Sequence, residues 1–96
     1  MNTTDAVVYI VECADGSFYT GATKNLEKRI QVHNEGKGAK YTRARLPVRL
    51  VYSEILEDYN AALRREKALQ KLSRREKKSL IEQKMSLNSV SDLAIE

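Results

Sequence analysis

A chain of 96 residues, 42% apolar and 31% charged, has room for one hydrophobic core but not two, and enough apolar content to fold. A single cysteine, Cys13, excludes an internal disulfide, and a single histidine excludes every zinc site that needs two or more; both fit a reduced, cytoplasmic setting. Met1 to Ala6 lack a cationic start followed by an apolar run, and no stretch approaches the length of a membrane span, so neither export nor membrane residence is expected.

The net charge of +4 is unevenly distributed. Residues 24 to 49 hold eight Lys or Arg against Glu27 and Glu35, and residues 64 to 84 hold nine against Glu66, Glu76 and Glu82, so each block carries +6; the remainder holds eight acids and no base. Two basic blocks in an otherwise acidic chain suit a polyanion, although solvated helix faces produce the same pattern.

Val7 to Val11 and Ser17 to Ala22 are β-branched and aromatic runs separated by Ala14-Asp15-Gly16, which predicts a hairpin. Its loop length decides where the tyrosines point. A two-residue Asp15-Gly16 turn would pair Tyr9 with Ala22 and send Tyr9 and Tyr19 to opposite faces. A three-residue loop, with Gly16 left-handed in a G1 bulge, pairs Cys13 with Ser17 and places both tyrosines on one face, leaving Val8, Ile10, Phe18 and Thr20 on the other. The three-residue loop is the expectation.

A helix is predicted from Asn25, as cap, to about Glu35, with Leu26, Arg29, Ile30 and His33 on one stripe and Gly36 as terminator. Gly36 to Leu46 reads as a basic connection, and Pro47 leads into a third strand, Val48 to Ile55. Asp58 caps a helix running to about Leu72. Ser73 and Glu76 have capping-box spacing and open a last helix to about Lys84, followed by a frayed tail over residues 85–96. The element order β-β-α-β-α-α is that of an α+β domain over residues 6–84, a small, mostly antiparallel three-stranded sheet flanked by helices.

Glu66 is out of place by composition. At about 100° per residue, Tyr59, Ala62, Leu63 and Leu69 fall within roughly 60° of it, so a carboxylate sits amid the apolar stripe of its helix. It requires a partner there: either a basic side chain such as Arg29 in a structural ion pair, or a divalent metal with oxygen ligands and water. Arg29 and His33 neighbour each other on one helix face, and a guanidinium beside an imidazole suits an anionic phosphoryl group. Each also has an ordinary structural reading, as do Tyr9 and Tyr19 as strand aromatics. Gly36-Lys37-Gly38-Ala39-Lys40-Tyr41-Thr42 lacks P-loop spacing and follows a helix instead of a strand. Lys37, Lys40, Arg43 and Arg45 in and after it suit contacts to a nucleic-acid backbone, or merely a solvated loop.

Val8-Tyr9-Ile10, then Tyr19-Thr20-Gly21, Arg29 and His33 on the next helix and Glu66 on a later one, together resemble the GIY-YIG nuclease superfamily. With the Gly36 to Thr42 loop and Leu63-Arg64-Arg65-Glu66, the chain is similar to the stand-alone bacterial, YhbQ-like branch. Val7 stands where the first triplet has its glycine, and Val8 and Thr20 replace isoleucines; both tyrosines remain. The late asparagine of some members has no assigned counterpart, since Asn88 lies in the tail.

The resemblance implies metal-dependent hydrolysis of nucleic-acid phosphodiesters, DNA ahead of RNA, with one Mg2+ or Mn2+ held by Glu66. It implies that Tyr9 is the general base, that Tyr19 assists it or exchanges roles with it, and that Arg29 neutralises the transition state. His33 would position water or shuttle a proton, and Tyr41 would stand for a second family histidine or tyrosine at the nucleic-acid surface. The alternative is a nucleic-acid-binding module with this fold and little turnover; a third reading, a helical interaction protein, predicts no response to metal.

Overall fold

An uninterrupted apolar run is what a strand needs when both of its faces are covered. In the computed structural model, which describes the backbone of residues 5–95 and the side chains of residues 5–84, the run Ala6–Glu12 (β1) is the central strand. It lies between Phe18–Thr23 (β2) and Arg49–Leu56 (β3) in a sheet of order β2-β1-β3, antiparallel on both sides. Side-chain alternation divides the core in two. Val8 and Ile10 pack with Tyr52, Leu69 and Ile81 on one face; Tyr9, Val11, Cys13 and Val48 pack with Tyr19, Leu26, Ile30 and Leu46 on the other.

The hairpin takes the three-residue loop. The Cys13 amide donates to the Ser17 carbonyl at 2.8 Å, Val11 faces Tyr19, and Gly16 has φ +84°, a conformation that Gly adopts without a Cβ penalty. Asp15 braces the turn by accepting from the Ser17 amide at 3.0 Å.

The helices are Leu26–Asn34 (α1), Lys40–Arg43 (α2), Tyr59–Gln70 (α3) and Arg74–Ile95 (α4). Their starts follow the sequence signals: Asn25 accepts from the Lys28 amide at 3.1 Å and Asp58 from the Ala61 amide at 2.7 Å. The Ser73 hydroxyl accepts from the Glu76 amide at 3.1 Å, while the Ser73 amide donates to the Glu76 carboxylate at 2.9 Å, which closes the capping box.

Two segments differ from expectation. The basic connection contains the helical turn α2, because beyond Gly38 no Gly or Pro interrupts the chain until Pro47 and the Thr42 hydroxyl caps back onto the Ala39 carbonyl at 2.9 Å. Residues 85–95, expected as a frayed tail, continue α4 to Ile95, since the segment holds neither Gly nor Pro to stop a helix. Side chains beyond Lys84, Asn88 among them, lie outside the described residues. No helix among the described residues is long and apolar enough to cross a membrane.

Candidate active site

The three-residue loop brings Tyr9 and Tyr19 to the same sheet face, where α1 docks. Tyr9 is 1% exposed, and its ring passes directly over Gly21, its cross-strand partner. A Cβ on residue 21 would fall 2.4 Å from the Tyr9 hydroxyl, so the hydroxyl occupies space that only glycine leaves open.

His33, 0% exposed on the inner face of α1, meets that hydroxyl: its Nε2 is 2.9 Å from Tyr9 Oη. On the other side of the ring, Nδ1 is 2.9 Å from Oγ1 of Thr42, which is fully buried. The Tyr19 ring stands edge-on to His33 at 5.5 Å between centroids and stacks on Tyr41 at 6.1 Å with the planes 21° apart. Arg45 covers Tyr41, its guanidinium carbon 4.0 Å from the ring centre, and is tied to Asp15 at 3.1 Å. Tyr9, His33, Tyr19, Tyr41 and Arg45 thus form one continuous wall from β1 to just past α2.

Arg29 lies one helical turn before His33 and is half-buried. It lines a 590 Å³ cleft with Ala22, Thr23, Lys24 and Tyr59, and a 210 Å³ hollow with Thr23, Asn25, Lys28 and Val32. The other members of the wall feel its charge. Burial pushes the Tyr9 phenol up from its ordinary value; Arg29 beside it pulls the other way, and the charges of Tyr19 and Glu66 add to the rise. Burial also raises Tyr19, with Glu66 adding and Arg29 opposing. Burial and then the Arg29 charge hold His33 below the ordinary histidine value, which keeps the imidazole neutral.

Glu66 reaches this electrostatic field from α3, half-buried. Among the described residues no hydrogen bond or salt bridge closes on it, so of the two partners left open by the sequence, an Arg29 ion pair is not what holds it. Its helix neighbour Arg65 pairs with Glu54 instead, at 2.9 Å. Burial raises the Glu66 carboxyl above the ordinary range, only partly countered by Lys67. A desolvated carboxylate with no hydrogen-bonded or salt-bridged partner among the described residues is the kind of oxygen donor a hard divalent ion uses. No cluster of three or more His, Cys, Asp or Glu suited to a metal occurs among the described residues, so Glu66 is the one carboxylate of this site that could hold such an ion.

Tyr9, Tyr19, Arg29, His33 and Glu66 therefore share one site, contributed by β1, β2, α1 and α3. Tyr41 and Arg45 flank it, while Lys37, Lys40 and Arg43 are exposed on the same loop and helical turn. Sequence reasoning overlooked Thr42 and Gly38. The only sign of them was their place in the glycine-containing loop after His33, and nothing local marked either as a neighbour of that ring.

The family model for the GIY-YIG catalytic domain matches residues 5–79. The chain is 50% identical over 84 residues to a UPF0213 protein of Bacillus licheniformis, covering 88% of this chain and 87% of the relative. It is 56% identical over 77 residues to one of Clostridium perfringens, covering 80% and 83%. Solution NMR structures of a UPF0213 protein from Bacillus halodurans (TM-score 0.54, 48% identity, 83% and 85% of the two chains) and of a protein from E. faecalis (TM-score 0.58, 38% identity, 85% and 88%) share its fold.

Proposed function

The chain belongs to the GIY-YIG catalytic-domain family, and from that premise we propose that it is a metal-dependent endonuclease that hydrolyses phosphodiester bonds in DNA, with residues 6–84 as the working domain. One observation carries the reading: a buried phenol, a second phenol and a neutral imidazole meet beside Arg29, which lines a cleft, and a half-buried carboxylate with no salt bridge among the described residues acts electrostatically on both phenols.

In this reading Arg29 binds the scissile phosphate and offsets the charge that develops on it. Tyr9 takes a proton from the attacking water, with Tyr19 holding that water or exchanging roles with Tyr9. The water oxygen bonds to phosphorus as the bond from phosphorus to the leaving oxygen breaks, and that oxygen is protonated from solvent. Glu66 would hold Mg2+ or Mn2+, which when bound supplies charge stabilisation at the phosphate and the leaving oxygen. Lys37, Lys40, Arg43 and Arg45, with Tyr41, would contact the nucleic-acid backbone on either side.

The test is cleavage of a panel of duplex, branched and single-stranded DNA and RNA with and without Mn2+, by wild type, Tyr9→Phe and Glu66→Gln. Metal-dependent cutting that falls about 100- to 10,000-fold in Tyr9→Phe supports the assignment. Binding without cutting under every condition would favour a binding module instead.

A further inference from the structure

We propose that Thr42 is a positioning residue that locks His33 in its Nδ1–H tautomer, aiming the bare Nε2 lone pair at the Tyr9 hydroxyl so that the imidazole accepts the tyrosine's proton.

In a chain of hydrogen bonds, groups that can only give or only take fix the direction of all the rest. At one end is the Ala39 carbonyl, which only accepts; the Thr42 hydroxyl lies 2.9 Å from it. A hydroxyl has one proton. Once Thr42 has spent it on Ala39, its oxygen can meet Nδ1 of His33, 2.9 Å away, only as acceptor, so Nδ1 carries the hydrogen. A neutral imidazole then has a bare Nε2, which must accept from Tyr9 across its 2.9 Å contact. At the other end, Arg29 beside the phenol has donors and no acceptor, so the Tyr9 proton has nowhere to go among the described residues except Nε2. Both ends impose the same direction. The reverse order would leave the Tyr9 proton unpaired and remove the hydroxyl from Ala39.

The loop is shaped for this contact. A Cβ on Gly38 would stand 2.4 Å from Nδ1, so glycine is what lets the backbone come close enough for Thr42 to reach the ring. Gly38, Ala39 and Thr42 thereby account for a motif that resembles a phosphate loop without its spacing.

The arrangement removes a difficulty in using a buried tyrosine as a base. As a water proton moves onto Tyr9 Oη, the phenol's own proton moves to Nε2, giving imidazolium with Nδ1–H still held by Thr42. Tyr9 is a neutral phenol before and after, so no free phenolate need accumulate. When the product leaves, the proton returns from Nε2 through Tyr9 Oη to solvent, which balances the proton that the leaving oxygen took from solvent.

His33 is the chain's one histidine, so its ring nitrogens can be read directly by 15N NMR of labelled full-length protein at neutral pH, without substrate or metal. The expected spectrum shows protonated Nδ1 and bare Nε2, the opposite of the form free histidine prefers. Thr42→Ser should keep that spectrum and Thr42→Val should lose it for the Nε2–H form or a mixture. An Nε2–H ring in the wild type overturns the proposal whether or not Thr42→Val folds. The kinetic arm rests on the nuclease reading: Thr42→Val should lower kcat at least tenfold with KM little changed, and Thr42→Ser should recover most of the loss. Loss of the tautomer in Thr42→Val with full retention of kcat would also overturn the proposed role, whereas absence of cleavage in all variants, with the tautomer as expected, would count against the nuclease reading alone.

Discussion

Gly21 lies across the β1–β2 ladder from Tyr9, so close that a methyl group on it would stand 2.4 Å from the phenolic oxygen and 2.6 Å from the carbon bearing it. Tyr9 is buried and cannot swing aside freely. Gly21→Ala should therefore cost about 1–3 kcal/mol of stability through overpacking and displace the hydroxyl from His33. Urea unfolding measures the first effect and the His33 ring 15N shifts the second; an unchanged midpoint together with unchanged shifts would show that the strand yields easily.

Glu66→Gln tests the carboxylate without altering its shape. Burial raises the Glu66 carboxyl, so its contribution to stability is full below the unfolded value and is lost as pH rises through the higher folded one; at neutral pH the charge is a burden. The variant should melt at or above the wild-type temperature in the absence of metal. Mn2+ at a hundred times its Kd should stabilise the wild type by about 2.7 kcal/mol and leave Glu66→Gln unmoved. A variant melting several degrees low without metal would mean that Glu66 has a structural partner in solution.

His33 has the opposite pH signature. Burial, then Arg29, lowers its folded value, so the unfolded chain takes up the proton first and stability falls as pH drops through about 6.5, levelling off below the folded value. Urea midpoints from pH 8 to pH 5 should show this decline in the wild type, and His33→Gln should flatten that part of the curve. Equal slopes in the two proteins would contradict a neutral, buried imidazole.

Nucleic-acid affinity should fall steeply with salt, and the structure ranks the cations responsible. Lys37, Lys40 and Arg43 are exposed, whereas Arg45 is held by Asp15 and lies on Tyr41. Alanine at each of the first three should flatten the plot of log K against log salt by about one unit, and Arg45→Ala by less. Lys24 and Lys28, at the two hollows that meet at Arg29, should behave like the first group. Affinity insensitive to salt would exclude this surface as the binding face.

Local features were legible in the sequence because they depend on neighbours along the chain. The loop Ala14-Asp15-Gly16 determines the pairing of Val11 with Tyr19 and hence the shared face of the two tyrosines. Asn25, Asp58 and the Ser73–Glu76 pair start their helices because each cap is satisfied within three residues. Helical periodicity was enough to single out Glu66 as a carboxylate on an apolar stripe. What periodicity could not tell was which alternative partner it has, because that depends on how α3 lies against the sheet and how far Arg29 extends from α1. The helical turn α2 was hidden for a related reason: part of what holds it is a side chain turned inward onto its own backbone, in a segment whose lysines and arginines read as a solvated connection. Tyr9 and His33 are 24 positions apart, and the Thr42 contact to the same ring spans nine. Such hydrogen bonds exist only once α1 has docked on β1 and two glycines have let backbone and ring approach, so the sequence by itself could single out the tyrosines, Arg29, His33 and Glu66, while the part of Thr42 and Gly38 and the partners of the His33 ring were decided by tertiary packing.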